Sequence, residues 1–320
     1  MDADAARWPP LVAIVGPTGS GKSDLALGVA RLVPVEIVVA DSRQVYRGMD
    51  VGTATPDAAA RASVPHHLID LAHPDEAFTV ADWVARARTL VPEIAGRGRL
   101  PLVVGGTGLY VAALVDGHDY AAQPWSPDVR RRLTDELEAV GLGPIVSRLR
   151  ELDPETAAST DLRNPRRVVR ALERAEAGGG GVVPTAEPYP GRVAMFGIDR
   201  PREVLYRRID ARAAAMFGPG GLLDEVRGLL AAGYGPELSP MSGHGYREAA
   251  RHLAGEWTLA QAVESTARRT RQYAKRQLSW FRRDPRVTWL AAGDGPADAP
   301  HLVERVVRAV GQLAVGSPID

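Results

Sequence analysis

The octet Gly16-Pro17-Thr18-Gly19-Ser20-Gly21-Lys22-Ser23 carries the clearest chemistry in the chain. It follows the apolar run 11–15 and precedes a helical pattern over 24–32, the two flanks that a G-x-x-x-x-G-K-[ST] loop requires. Its glycines let backbone N–H groups converge on phosphate oxygens, and the helix that follows turns its positive end toward them. Lys22 is placed to reach the outer phosphates, and the Ser23 hydroxyl suits a metal ligand, so Mg2+ is the expected cofactor. The octet predicts a di- or triphosphate site of the nucleotide-binding, ATP-binding kind, without saying that the ligand is a nucleotide. The marks of a standard ATPase or guanine-nucleotide protein are missing. There is no Asn-Lys-x-Asp and no Leu-Ser-Gly-Gly-Gln, and the run 100–104 leads into Gly105-Gly106-Thr107-Gly108 rather than a carboxylate.

Asp41 closes the expected strand 35–40 and heads Asp41-Ser42-Arg43-Gln44-Val45-Tyr46. In open α/β sheets ligands bind at the carboxyl ends of the strands, so Asp41 and the octet are expected to face one cleft. A carboxylate there accepts a proton or holds magnesium; a helix cap is the plainer alternative. Thr107 sits likewise at a strand end among glycines that let backbone approach a ligand, or form a simple turn.

A basic face comes next. Residues 259–283 read as one long helix in which Val263, Ala267, Ala274, Leu278 and Phe281 recur at helical spacing and are expected to be buried. A second stripe, Arg269, Tyr273, Arg276, Trp280 and Arg283, lies about 100° around the helix and interleaves cations with aromatics. From Thr266 to Arg283 there is no acid. Such a face grips a phosphate backbone and stacks on unpaired bases, or is only a solvated helix face. A second cluster, Arg163, Arg166, Arg167 and Arg170, favours nucleic acid. The histidines, His66, His67, His73, His118, His244, His252 and His301, show no metal-ligand spacing.

The elements that must position these groups follow from periodicity. Short strand-like runs, mostly β-branched, at 11–15, 35–40, 67–71, 100–104, 193–198 and 287–290 alternate with helical patterns, which predicts an α/β fold: a P-loop NTPase-like parallel sheet flanked by helices. Between 121 and 192 the strand signal stops, and helices are expected over 127–140, 143–152 and 164–177. That is an inserted all-helical domain, 122–191, inside a discontinuous core of 1–121 and 192–320 that carries the basic helix. Its expected borders are 123–127 on one side, and 178–181 with Pro184, Pro188 and Pro190 on the other.

Composition sets limits. The chain has 320 residues, 45% apolar and 24% charged, in the range of an ordinary globular protein. Lys+Arg and Asp+Glu are each 39, so any attraction to a polyanion must come from local patches. Of the 39 basic residues only Lys22 and Lys275 are lysines. Absence of cysteine excludes disulfide scaffolds, thiolate catalysis and Cys-ligated zinc. No run approaches a membrane span, and residues 1–10 carry acids rather than a basic, apolar leader, so the expectation is a cytoplasmic protein with no membrane contact.

Together these residues resemble the tRNA dimethylallyltransferase family, also called tRNA isopentenyltransferases or IPP transferases, from about residue 11 to about residue 290. The resemblance rests on GPTGSGKS (16–23), ADSRQVY (40–46), MDVGTATP (49–56), PHHLID (65–70), LVVGGTGLY (102–110), NPRRVVRALE (164–173), GYRE (245–248) and AKRQLSWFR (274–282). It implies a prenyltransferase that moves a dimethylallyl group from dimethylallyl diphosphate to the exocyclic N6 amine of the adenosine 3'-adjacent to the anticodon, in tRNAs reading codons that begin with U. Diphosphate is released. The octet, Gly16 through Ser23, would then hold the donor's pyrophosphate instead of ATP, with Arg212 beside it and magnesium at Ser23. Asp41 would take the proton, and Thr107 and Arg247 would complete the catalytic set. Family tRNA contacts fall on Asp41, Ser42, Arg43, Gln44, Thr107, Arg130, Arg166, Arg167, Arg170, Gly245, Tyr246, Arg247, Lys275, Arg276, Gln277 and Trp280. The implied partners are the tRNA anticodon stem-loop and dimethylallyl diphosphate, with a monomer and no stable protein partner. The insertion would be a mobile domain that closes on the anticodon stem. Gly19 stands where the family often has Ala, and His244 where small or apolar residues are usual.

Two other functions fit parts of the sequence. In a P-loop small-molecule kinase ATP would fill the octet and Asp41 would orient a hydroxyl; the basic, aromatic-bearing helices have no use there. A non-catalytic RNA-binding module would leave the pairing of Asp41 with a phosphate loop unexplained.

Overall fold

The structure, a computed structural model, describes residues 8–117, 126–178 and 187–314. Residues 1–7 and His118 lie outside these, as do 123–125, 179–181 and Pro184 among the expected insertion borders. The chain divides into two compact units, Met1–Val115 with Tyr189–Asp320, and Asp116–Pro188.

The first unit is built on six parallel strands: β1 (Leu11–Val15), β2 (Val35–Ala40), β3 (His66–His67), β4 (Leu100–Gly105), β5 (Val193–Asp199) and β6 (Val287–Ala291), in the order β3-β2-β4-β1-β5-β6. Strands β1 and β2 are buried throughout, which is why β1 reads as an unbroken apolar run and β2 is interrupted only by Glu36, whose carboxylate is paired with Arg97 and His67. Their side chains still alternate. Leu11, Ala13 and Val15 enter one core with Trp83, Val91 and Ile94 of α3 (Val80–Gly96) and with Tyr110 and Leu114 of α4 (Gly108–Asp116). Val12 and Ile14 enter the other with Leu25 and Val29 of α1 (Lys22–Ala30) and Val306 of α13 (Pro300–Ala314). Helices α2 (Ala58–Ser63), α9 (Arg202–Met216), α10 (Leu222–Ala231), α11 (Tyr246–Leu253) and α12 (Leu259–Phe281) complete the unit.

The strand expected over 67–71 is a correction. β3 is two residues long because Leu68 and Asp70 take positive φ, 63° and 54°, a region that breaks a strand. Its continuation keeps only an isolated bridge between Tyr46 and Ala72.

The second unit contains α5 (Pro127–Val140), α6 (Leu142–Leu152), α7 (Pro154–Ser159) and α8 (Pro165–Glu176), the short α7 being unexpected. Asp153 caps α7 by accepting the Thr156 amide at 2.9 Å, with proline in the first turn where its missing N–H costs nothing. Leu133, Ile145, Leu149, Val168 and Leu172 form the core. Glu173 is fully buried there, accepting from the Ser126 amide and the Arg130 guanidinium, with Arg170 as a second cation at 3.1 Å.

Candidate active site

Strand register brings the site together. Val15 and Ala40 both pair with Gly105, so Gly16, Asp41 and Gly106 leave the sheet at one level. The phosphate loop then turns through Gly16, Gly19 and Gly21 at φ 132°, 80° and 101°, conformations that side-chain-bearing residues rarely adopt.

The loop is held from three sides by residues remote in sequence. Arg200, just past β5 and 7% exposed, donates Nε to the Ser20 carbonyl at 2.7 Å and Nη1 to the carbonyls of Gly293 and Gly295 at 2.9 and 2.8 Å. Arg208 on α9 donates to the Gly19 carbonyl at 2.9 Å. Gln277 on α12 accepts the Thr18 amide at 2.8 Å and donates to the Gly106 carbonyl at 2.9 Å. Sequence reasoning missed Arg200 and Arg208; the signal for Arg200 was its place at the carboxyl end of the strand beside β1. Gln277, read above as an RNA contact, is buried between the two glycine turns. Val263 and Leu278, expected to be buried, are only partly so.

Lys22 donates to the Pro17 carbonyl at 2.9 Å. Burial pushes its ammonium down to about 8; Asp41 opposes that shift and Arg212 adds to it. Burial also lowers Arg212, again against Asp41. One carboxylate thus faces both cations.

The cleft has two compartments. The first is lined by Gly19, Lys22, Ser23, Ala54, Arg208 and Gln277, the second by Arg43, Gly52, Met216, His244, Tyr246 and Tyr273. Thr18, Asp41, Thr53 and Arg212 line both. Asp41 accepts the Arg43 amide through Oδ1 at 2.9 Å; among the described residues Oδ2 accepts nothing. Thr107 accepts the Ser42 amide at 3.0 Å and is hydrogen-bonded to Tyr273, whose phenol is pushed up to about 12, chiefly by burial. His244 lies 5.2 Å from the Tyr273 ring, and its imidazole is lowered to about 4 by burial first and by Arg269 second.

Other expected site residues fall elsewhere. Arg247 is exposed and lines neither compartment, because α11 turns Tyr246, Glu248 and Ala249 inward. Gly245, at φ 94°, donates its amide to Glu248 at 2.8 Å. Arg43 donates to the carbonyls of Ser239 and Pro240, and Gln44 to those of Thr53 and Ala54. Lys275 and Arg276 are exposed, with Arg276 5.7 Å over the Tyr273 ring. Trp280 packs on Gly108, where a Cβ would come 2.3 Å from its Cδ1, yet stays 44% exposed. In the helical unit Arg166 and Arg167 are exposed without an ion pair among the described residues.

The donor set fits a magnesium ion that draws most of its ligands from phosphate and water: Ser23, Asp24 and Asp41 line the same compartment, and among the described residues no cluster of three or more His, Cys, Asp or Glu could hold a metal alone.

The model of the IPP transferase family matches residues 44–284, and that of isopentenyl transferases residues 9–67. A tRNA dimethylallyltransferase of Syntrophobacter fumaroxidans is 48% identical over 312 residues, covering 95% of this chain and 89% of its own. One from Roseiflexus castenholzii is 47% identical over 308 residues, covering 95% and 98%. The crystal structure of the full-length tRNA isopentenylpyrophosphate transferase of Bacillus halodurans superposes with a TM-score of 0.71 at 38% identity, covering 96% of this chain and 97% of its own. A eukaryotic dimethylallyltransferase acting on tRNA shares the fold, at TM-score 0.77 and 23% identity. With sheet, phosphate loop and sequence in agreement over nearly its whole length, the chain belongs to the IPP transferase family.

Proposed function

We propose that the protein transfers a dimethylallyl group from dimethylallyl diphosphate to the N6 amine of the adenosine 3'-adjacent to the anticodon in tRNAs reading codons that begin with U. The observation that carries this reading is the shared wall of the two compartments: Asp41 and Arg212 stand where a diphosphate in one meets a nucleobase in the other.

The adenine amine is a poor nucleophile, its lone pair being delocalised into the ring. As it bonds to the allylic carbon, the carbon–oxygen bond to diphosphate breaks and negative charge grows on the leaving group. Loop amides, Lys22 and Arg212 stabilise that charge. Oδ2 of Asp41 takes the amine proton. Magnesium, held by Ser23 with Asp41 or Asp24 nearby, would supply further charge to the diphosphate when bound. Thr107 and Tyr273 fix the backbone beside Asp41.

The exposed Lys275, Arg276 and Trp280, together with Arg166 and Arg167 of the helical unit, supply cations and one stacking surface for the tRNA. Arg130 and Arg170 are paired with Glu173 and remain partly exposed, so they too can meet RNA. No helix among the described residues is long and apolar enough to cross a membrane; a cytoplasmic place for the protein rests on its tRNA-modifying relatives. The relatives carry prenyl-transfer names, which leaves the kinase reading without support.

The test is incubation with Mg2+, labelled dimethylallyl diphosphate and an unmodified tRNA with consecutive adenines 3' of the anticodon, followed by mass spectrometry of the nucleosides. Label on N6 of the adenosine next to the anticodon is expected. An unmodified tRNA together with rapid ATP turnover onto a small acceptor would overturn the proposal.

A further inference from the structure

Glu225 lies in the first turn of α10, where an acid ordinarily serves the helix's positive end. Its carboxylate is engaged elsewhere. Oε2 accepts the amides of Asp50 and Val51 at 2.8 and 2.7 Å, while Oε1 accepts the Gly52 amide at 3.3 Å and the Tyr246 hydroxyl at 2.6 Å. Backbone nests usually close around a bound anion. Here the anion belongs to the protein, and a loop is gathered around it by charge-assisted hydrogen bonds.

The gathered loop reaches the reaction centre within one residue. Thr53 lines both compartments, Gly52 only the second and Ala54 only the first. The carbonyls of Thr53 and Ala54 accept from Gln44, so the loop is tied to the segment that carries Asp41. Beneath it lies the Tyr246 ring: a Cβ on Gly52 would come 2.2 Å from Cε2. The ring limits how deep the loop can sink, and Glu225 fixes its rotation about that contact.

We propose that Glu225 is a positioning residue for prenyl transfer: by holding the amides of residues 50–52 it sets the Thr53–Ala54 wall that keeps the allylic chain in line between Asp41 and the diphosphate. This rests on the prenyl-transfer reading. Glu225 touches neither reactant, and the diphosphate groups Lys22 and Arg212 lie outside its hydrogen bonds.

The test compares full-length wild type, Glu225→Ala and Glu225→Gln in steady-state transfer, in binding of inorganic diphosphate, in thermal unfolding and in amide exchange over residues 49–55. Glu225→Ala is expected to lose on the order of 100-fold in kcat/KM for dimethylallyl diphosphate, the scale of a small misplacement at a reacting centre. Its diphosphate affinity should be unchanged and its 50–52 amides should exchange faster. Glu225→Gln keeps one acceptor oxygen and should recover most of the activity and protection. Wild-type efficiency in Glu225→Ala would overturn the proposal. So would a loss in both variants that tracks a lowered unfolding temperature and weakened diphosphate binding. A wild-type chain that transfers nothing would instead sink the prenyl-transfer reading, and the exchange data would then decide alone whether Glu225 orders the loop.

Discussion

Gln277 and Thr18 stand 259 positions apart in the chain and are joined by a 2.8 Å hydrogen bond, the Thr18 amide donating to the glutamine oxygen. The same side chain donates at 2.9 Å to the Gly106 carbonyl, so a residue of the basic helix links the phosphate loop to the turn that carries Thr107. Under the proposed function, RNA on α12 and diphosphate in the loop would act on one shared joint.

Replacing Gln277 by Leu should leave the Thr18 amide and the Gly106 carbonyl without partners. The buried Gly106 carbonyl left unpaired costs about 1–3 kcal/mol and the half-buried Thr18 amide less, so the urea midpoint should fall. The KM for dimethylallyl diphosphate should rise, since the loop loses its brace. A midpoint and KM equal to wild type would show that the joint is not needed.

Asp41→Asn keeps the shape of the side chain and removes the proton acceptor. Single-turnover transfer should drop by roughly 10²–10⁴-fold. Binding of inorganic diphosphate, measured calorimetrically, should survive, because Lys22 and Arg212 remain. Transfer at the wild-type rate would remove Asp41 from the proton path.

Lys22 gives a pH signature. Its folded-state pKa, about 8, lies below the ordinary 10.5, so between these values the unfolded chain holds a proton that the folded one has released. Its contribution to stability is therefore present above 10.5 and lost as pH falls through about 8. Diphosphate binding runs the other way, because the ammonium is the form that binds, and affinity should decline as pH rises past about 8. In Lys22→Met both slopes should vanish; a wild-type basic limb retained in the variant would assign it to another group.

His244 acts at the acid end. Its imidazole is held near 4 against an ordinary 6.5, so the unfolded state protonates first as pH falls. The neutral ring's contribution is complete above 6.5 and lost as pH falls toward 4. Denaturant midpoints at pH 7 and pH 5 should therefore differ less in His244→Leu than in wild type. Equal differences would place the ring in solvent.

Much of the fold is legible because strands buried on both faces are mostly apolar: β1 and β2 match the ranges read from their residues alone, with the paired Glu36 as the exception in β2. Positive φ at Leu68 leaves no such trace, and Asp70, a type that tolerates the left-handed region, gives only a weak one, so β3 is shorter than expected. The octet and Asp41 are legible from spacing. Arg200, Glu225 and the partners of Gln277 are not, because a polar side chain shows its partner only once the chain has folded. Arg247 illustrates the converse: motif position placed it at the centre, and the helical phase of α11 turned it outward.

Arg200 joins the loop at Ser20 to the carbonyls of Gly293 and Gly295, and Ala297 would meet any Cβ placed on Gly21 at 2.5 Å. The first motif of the chain is therefore completed by some of its last residues: a protein cut short before residue 293 would keep the octet yet lose the carbonyls through which Arg200 anchors it.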